Sequence, residues 1–310
     1  MRIRELIDFM GDLTIKTGYP VPVPDGFSYK WALKYNFNRE GKVVLYTGAL
    51  YQLIPYIESL SLYLMAMEKS DEGGYIALKF ARSIPRDIIN KLAQPDKRLI
   101  SWSYNVLTSI ANLLLKSKIN FSYLYENDIY SGVLLYDMGD EEKFKIHINK
   151  VFKLLKQSKA EKIITVDPHT TYILKNVYPK YIDGFDLEVN SYLELIEIND
   201  ESKLNKDPVV IHDSCIYARG LSLIDAPRKL LSKKGYEIKE PRRNKSITYC
   251  CGGPIEAIFP SLSKAIAKNR MEELSMVSNK VITMCPICYI NLSKVSNNYN
   301  TEVHDISEML

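Results

Sequence analysis

The first 214 residues of this 310-residue chain contain no cysteine. Nor does it hold a run of 18 apolar residues. The nearest approach, Leu50 to Met67, is broken by Gln52, Pro55 and Glu58, so no membrane-spanning helix is expected. The opening Met1-Arg2-Ile3-Arg4-Glu5-Leu6-Ile7-Asp8 lacks the apolar centre of a secretory signal. No Gly-x-Gly-x-x-Gly occurs, which argues against a nucleotide or flavin site. No Cys-x2-Cys-x2-Cys-x3-Cys occurs either, which argues against a ferredoxin-type cluster. One-signed charge is also missing. The net +4 is small and the basic residues are not interleaved with aromatics, so nucleic acid is not an expected partner. What remains is an ordinary globular composition, 46% apolar and 25% charged, long enough to bury two cores. A soluble, cytoplasmic protein is expected.

All five cysteines lie between residues 215 and 288: Cys215, then Cys250-Cys251-Gly252, then Cys285-Pro286-Ile287-Cys288. In a reducing cytoplasm, thiols so gathered and odd in number read as metal ligands or catalytic groups rather than disulfides.

The chain also resembles itself. Lys42-Val43-Val44-Leu45-Tyr46-Thr47-Gly48-Ala49 lies over Pro208-Val209-Val210-Ile211-His212-Asp213-Ser214-Cys215, and Lys162 to Thr170 lies over Lys280 to Cys288. Between these anchors Tyr130-Ser131-Gly132 takes the place of Cys250-Cys251-Gly252. Ser131 and Asp167 are 36 positions apart, Cys251 and Cys285 34.

Short β-branched runs (Val43–Leu45, Ile163–Val166, Val209–Ile211, Val281–Met284) predict buried strands, and Ser246–Tyr249 is read as a further strand before the cysteine pair. Helical patterns over Glu141–Lys156 (apolar at Phe144, Ile146, Ile148, Val151, Phe152, Leu154 and Leu155) and Pro260–Val277 (Leu262, Ala265, Ile266, Met271, Leu274 and Val277) separate them. The expected fold is therefore α/β: two pseudo-repeated lobes, each a small parallel sheet with flanking helices. The expected domains are an N-terminal arm over 1–40 with a turn-rich Pro20–Gly26, a cysteine-free lobe over 41–198, a polar linker Asn199–Asp207, and a cysteine-bearing lobe over 208–310. In such sheets ligands gather beyond the carboxyl ends of the strands, and every cysteine is predicted at such an end.

A Cys-x-x-Cys at a strand-to-helix junction puts two thiolates on one helical turn, where the amide groups favour the anion. Pro286 suits that turn. Adjacent cysteines cannot both serve one mononuclear ion comfortably, but they can reach two irons of a larger cluster. Gly252 and Gly253 let the backbone pass close to a bulky group. Five thiolates exceed the four that tetrahedral zinc takes and suit an iron–sulfur cluster. Zinc, a dithiol redox pair and plain buried thiols are the alternatives.

The pattern Cys215-x34-Cys250-Cys251-Gly252-x32-Cys285-x2-Cys288 resembles the cysteine-rich CCG domain. That domain occurs in the B-type and D-type subunits of heterodisulfide reductase and in the iron–sulfur subunits of glycolate, lactate and glycerol-3-phosphate oxidoreductases. His212-Asp213-Ser214-Cys215 with Arg219, Ala226-Pro227-Arg228-Lys229-Leu230-Leu231, and Val303-His304-Asp305-Ile306-Ser307-Glu308-Met309-Leu310 also fit. The resemblance implies that Cys215, Cys250, Cys251, Cys285 and Cys288 jointly ligate one noncubane [4Fe-4S] cluster. It implies an iron–sulfur subunit of a heterodisulfide-reductase-like complex, acting in thiol/disulfide or sulfane-sulfur redox on a thiol/disulfide substrate or sulfur carrier. A ferredoxin-like subunit and a flavoprotein subunit would be its partners. The alternatives are the electron-transfer subunit of a flavin-linked dehydrogenase and a zinc-stabilised scaffold.

The first copy departs from the pattern, with Ala49, Tyr130, Ser131, Asp167 and Thr170 at the ligand positions, so no cluster is expected there. Asp167, His169 and Tyr130 are candidates for a polar pocket facing the cluster; the favoured alternative is that Asp167–Thr171 caps the following helix. His212 and Asp213 are candidates for tuning the centre or moving a proton, or are structural. Arg242, Arg243 and Lys245 offset cluster charge, dock an acidic partner, or form a solvated loop.

Overall fold

The computed structural model describes residues 3–68, 95–198, 206–256 and 259–310. The greater part of the linker, 199–205, lies outside the described residues, while Lys206 and Asp207 already belong to a strand. The contacts divide the chain into two compact units. The first comprises Met1–Asn105, Phe121–Thr165 and Ile173–Val189, and the second Val106–Asn120, Val166–Tyr172 and Asn190–Leu310.

One four-stranded sheet contains β1 (Val43–Tyr46), β2 (Ser122–Tyr123), β3 (Lys162–Thr165) and β4 (Glu188–Ser191) in the order β2-β1-β3-β4. β1 runs parallel to both neighbours, Val44 facing Ser122 and Ile163. The other sheet contains β5 (Lys206–Ile211), β6 (Tyr236–Lys239), β7 (Lys280–Thr283) and β8 (Glu302–Asp305) in the order β6-β5-β7-β8, parallel throughout. The central strands are buried on both faces, which is why they read as continuous β-branched runs.

The two sheets thus repeat one order, second-first-third-fourth, as the α/β reading requires. Local backbone repeats with it. Gly132 and Gly252, which occupy matching positions, both lie in the left-handed region at φ 85° and 87°. A further repeat anchor appears after the last strand of each sheet. Ser191 and Glu194 form a capping box at the helix Tyr192–Leu195, and Asp305 and Glu308 form another at Ile306–Met309. The sequences beneath them, Glu188-Val189-Asn190-Ser191 and Glu302-Val303-His304-Asp305, match in spacing.

Three local expectations differ from the structure. Ser246–Tyr249 is not a strand: Lys245–Ile247 is a single 3-10 turn and the edge of the sheet is β6. Its backbone is engaged by side chains instead of a ladder, since Asp213 accepts the Lys245 N–H at 2.6 Å and Arg219 donates to the Thr248 carbonyl at 2.8 Å. The helix over Pro260–Ser275 buries Ser263, Ala267, Arg270, Met271 and Leu274 while Leu262 and Ala265 are exposed. In the helix Glu141–Gln157, Ile146 is exposed and His147 is buried, its Nε2 2.6 Å from the Tyr130 carbonyl oxygen. In both helices a polar residue with a specific partner has taken a core position.

The N-terminal residues Ile3–Thr17 form a helix in the first unit, where Lys143 lies 3.5 and 3.3 Å from Asp8 and Asp12. No described helix is long and apolar enough to cross a membrane.

Candidate metal centre

β5 and β7 are adjacent and parallel, with Ile211 paired to Ile282, so their carboxyl ends open at one place. The backbone pairing runs one residue further, His212 N–H donating to the Ile282 carbonyl at 2.8 Å. Cys215 lies just beyond β5, at the start of the π-helical turn Ile216–Gly220. Cys285 lies just beyond β7 as the extended N-cap of the helix Pro286–Ser296, with Pro286 in the first turn and Cys288 following it. The Cys-x-x-Cys therefore sits on the strand-to-helix junction that its spacing predicts.

Cys250 and Cys251 arrive on the loop after β6. Asp213 organises that loop from the next strand end. Its carboxylate takes both terminal nitrogens of Arg228 at 2.8 and 2.9 Å along with the Lys245 N–H, and its carbonyl accepts the Thr248 hydroxyl at 3.1 Å. Asp213 is thus structural. Gly252 and Gly253 have a packing reason of their own. A Cβ on Gly252 would lie 2.5 Å from the Ser263 carbonyl oxygen, and one on Gly253 would collide with Ile287 Cγ2. The two glycines let the loop close against the helices that begin at Pro260 and Pro286.

This framework brings all five cysteines together. Their side chains form one unbroken series of hydrogen-bonding contacts, Cys215 to Cys250, Cys250 to Cys251, Cys251 to Cys288, and Cys288 to Cys285. All five are unpaired by disulfides. Cys251, Cys285 and Cys288 are buried within the apolar core beside Val210, Met271 and Leu292, whereas Cys215 and Cys250 are half-buried. The cage therefore has a closed floor and an open rim. Hydrogen bonds from Cys215 and Cys251, helped by the Gly252 N–H, pull the Cys250 thiol down to about 2. Burial works to raise Cys285, but hydrogen bonds from Cys288 and His169 hold it well below the usual thiol range. The donors Cys215, Cys251 and Cys288 are correspondingly raised. Five sulfurs sharing anionic charge in a largely buried site fit a polynuclear iron–sulfur core, which thiolates hold.

Two imidazoles meet the sulfurs. His212 is 1% exposed, and one of its ring nitrogens lies within 4.8 Å of the sulfurs of Cys251 and Cys288, which are within the same distance of each other. Burial and the nearby Arg270 charge push its pKa down to about 3, so the ring is neutral. His169 hydrogen-bonds to Cys285.

Asp167 and His169 belong to the second unit, in the segment Val166–Tyr172. Asp167 caps the short helix Pro168–Tyr172, its Oδ1 accepting the N–H groups of His169 and Thr170 at 2.9 Å each. Its carboxyl is raised by burial to about 6. Capping and contact with the cysteines are thus divided between two residues of one segment: Asp167 caps, and the His169 side chain turns to Cys285. Tyr130 is buried in the first unit, where its hydroxyl accepts the Leu134 N–H at 3.0 Å. Arg243 stacks on Tyr249 with 3.8 Å from guanidinium carbon to ring centre and lies 3.9 Å from Glu273.

Arg270 is the residue that sequence reasoning missed. It is fully buried, and donates to His212 Nδ1 at 3.0 Å, to the Arg243 carbonyl at 2.9 Å and to Glu273 at 2.8 Å. It joins the β5 end, the cysteine-pair loop and the helix Pro260–Ser275. The one signal for it was an arginine one position before Met271, on the face that Ala267 and Leu274 bury.

Comparison with known proteins points to the same region of the chain. The family model of the cysteine-rich domain CCG matches residues 209–293. The probable iron-sulfur-binding oxidoreductase FadF of Bacillus subtilis is 28% identical over 222 residues, covering 67% of this chain and 31% of that protein. The EtfAB:quinone oxidoreductase of Syntrophomonas wolfei is 26% identical, covering 65% and 31%. The D-type subunit of the dihydromethanophenazine:CoB–CoM heterodisulfide reductase of Methanosarcina mazei is 26% identical over 232 residues, covering 67% and 55%. The chain thus spans about a third of the first two relatives and about half of the third. The segment that carries all five cysteines is thus the one that matches the cysteine-rich domain CCG, and about two thirds of the chain is similar to iron–sulfur oxidoreductases and to one polypeptide of a heterodisulfide reductase.

Proposed function

We propose that this chain is the iron–sulfur subunit of a heterodisulfide-reductase-like complex, with Cys215, Cys250, Cys251, Cys285 and Cys288 jointly holding one noncubane [4Fe-4S] cluster. The observation that carries the reading is the unbroken contact series linking all five sulfurs. When bound, the cluster supplies one-electron redox chemistry and a place for a sulfur atom to bind.

The residues of the chain divide the remaining work. Cys251, Cys285 and Cys288 exclude water from the inner side. Cys215 and Cys250 lie at the rim, where a thiol/disulfide substrate or sulfur carrier approaches. His169 sets a polar side chain against Cys285, with Tyr217 and Asp167 nearby. The first copy has no thiols, so a second electron arrives by repeated delivery. A ferredoxin-like subunit and a flavoprotein are the partners that would deliver it.

A second reading, the electron-transfer subunit of a flavin-linked dehydrogenase, is favoured by the similarity to an EtfAB:quinone oxidoreductase. Partners recovered with the anaerobic protein separate the two: a flavin dehydrogenase in place of a disulfide-active complex supports the second.

Anaerobic purification with metal and sulfide analysis tests the centre itself. About four irons and four acid-labile sulfides per chain are expected, with a paramagnetic signal on one-electron redox. Cys251→Ser should lose most of that iron. A colourless, zinc-loaded anaerobic preparation supports the scaffold alternative and overturns the cluster.

A further inference from the structure

His212 stands at the floor of the sulfur cage, yet it is not a cysteine and its hydrogen bonding is half complete. Its Nδ1 accepts the Nε–H of Arg270 at 3.0 Å. A guanidinium Nε carries its hydrogen at every accessible pH, so Nδ1 must present its lone pair. The single ring proton of the neutral imidazole then resides on Nε2. That atom is buried and has no hydrogen-bond partner among the described residues, although the ring lies within 4.8 Å of the Cys251 and Cys288 sulfurs. A buried N–H without an acceptor is costly, and such a group at a metal site points to an acceptor that arrives with the metal.

We infer that His212 is a hydrogen-bond donor to the sulfur atoms of the bound centre, locked in the Nε2–H tautomer by Arg270, and that it is not a ligand. The inference rests on the cluster reading above.

The same geometry weighs against a mononuclear site built from His212, Cys251 and Cys288. Ligation through Nε2 would move the ring proton to Nδ1, against the Arg270 N–H. Arg270 cannot turn away without leaving the Arg243 carbonyl and Glu273. Hydrogen bonds to cluster sulfurs stabilise the more negative, reduced state and raise the potential. Arg270 is accordingly a positioning residue, acting through His212.

The test is a redox titration, followed by electron paramagnetic resonance, of the full chain purified anaerobically. His212→Leu should keep the iron count of the wild type and weaken one-electron reduction about tenfold, or about 59 mV. His212→Gln, whose side-chain amide restores an N–H, should recover much of that shift. Arg270→Met should lower the potential in the same direction. Unchanged potential in His212→Leu with iron retained overturns the inference. So does iron loss matching that of Cys251→Ser, which would make His212 a ligand.

A second readout does not need the cluster. Long-range proton–nitrogen correlation of the imidazole, on the full chain loaded with zinc where it holds no iron, should show Nε2–H at His212. A proton on Nδ1, or a nitrogen bound to zinc, overturns the assignment. Absence of iron with Nε2–H intact would instead overturn only the cluster reading.

Discussion

At Gly252 the chain turns left-handed and lets the cysteine-pair loop touch the backbone of Ser263. Gly252→Ala adds about 1–2 kcal/mol of conformational strain and an overlap with a carbonyl oxygen that cannot move without its helix. The expected outcome is a large fall in iron bound per chain. Gly132→Ala carries the same conformational cost in the first unit, where the new Cβ meets the His147 ring edge at 3.0 Å. It should leave the iron content unchanged; equal iron loss in both variants would refute a local role for Gly252. Residues differ in how far their sequence announces them. The cysteines are legible because thiols have few uses at such spacing. Arg270 is not, because a charged residue on an amphipathic pattern reads as exposed, and only three-dimensional contact with His212 shows otherwise. His169 is half legible: its helix-start position follows from Asp167-Pro168, but its reach to Cys285 depends on long-range folding.

Among elements, the strands with buried β-branched residues are where the sequence places them, because burial on both faces of a parallel sheet leaves an unbroken apolar run. Ser246–Tyr249 imitates that signal and is a loop, since Asp213 and Arg219 engage its backbone groups. The turn after β1 has its own organiser. Asp128, fully buried, accepts the Thr47 and Gly48 N–H groups at 3.2 Å each, the Thr47 hydroxyl at 2.5 Å and the Tyr123 hydroxyl at 2.8 Å. Burial raises its carboxyl from 3.8 to about 7. A raised acid contributes most in its protonated form, so this contribution is whole below about pH 4 and is lost as pH rises through about 7. Hydrogen exchange at Thr47 and Gly48, corrected for intrinsic rates, should show weaker protection at pH 8 than at pH 5. Asp128→Asn keeps an oxygen for the two N–H groups and should flatten that trend; an unaltered slope would locate the titration elsewhere.

For the molecule as a whole, the two units differ in what holds them. The second places three of its cysteines in its apolar core, so a bound centre contributes directly to its folding free energy. Anaerobic chelation of the metal should lower amide protection at Val281, Ile282 and Leu292 while leaving Ile163 and Ile164 unaffected. An equal loss in both sheets would mean that the centre supports the chain in another way. The chain also spans only about a third of FadF and of the EtfAB:quinone oxidoreductase, and it carries no ferredoxin motif.

The left-handed turn at Gly132 exists in a copy that has no sulfur at its ligand positions. Its shape is therefore written into the polypeptide and owes nothing to iron. The matching turn at Gly252 draws on the same backbone preference, so one bend of the cysteine-pair loop is supplied by glycine, whatever a centre adds to the rest of the unit.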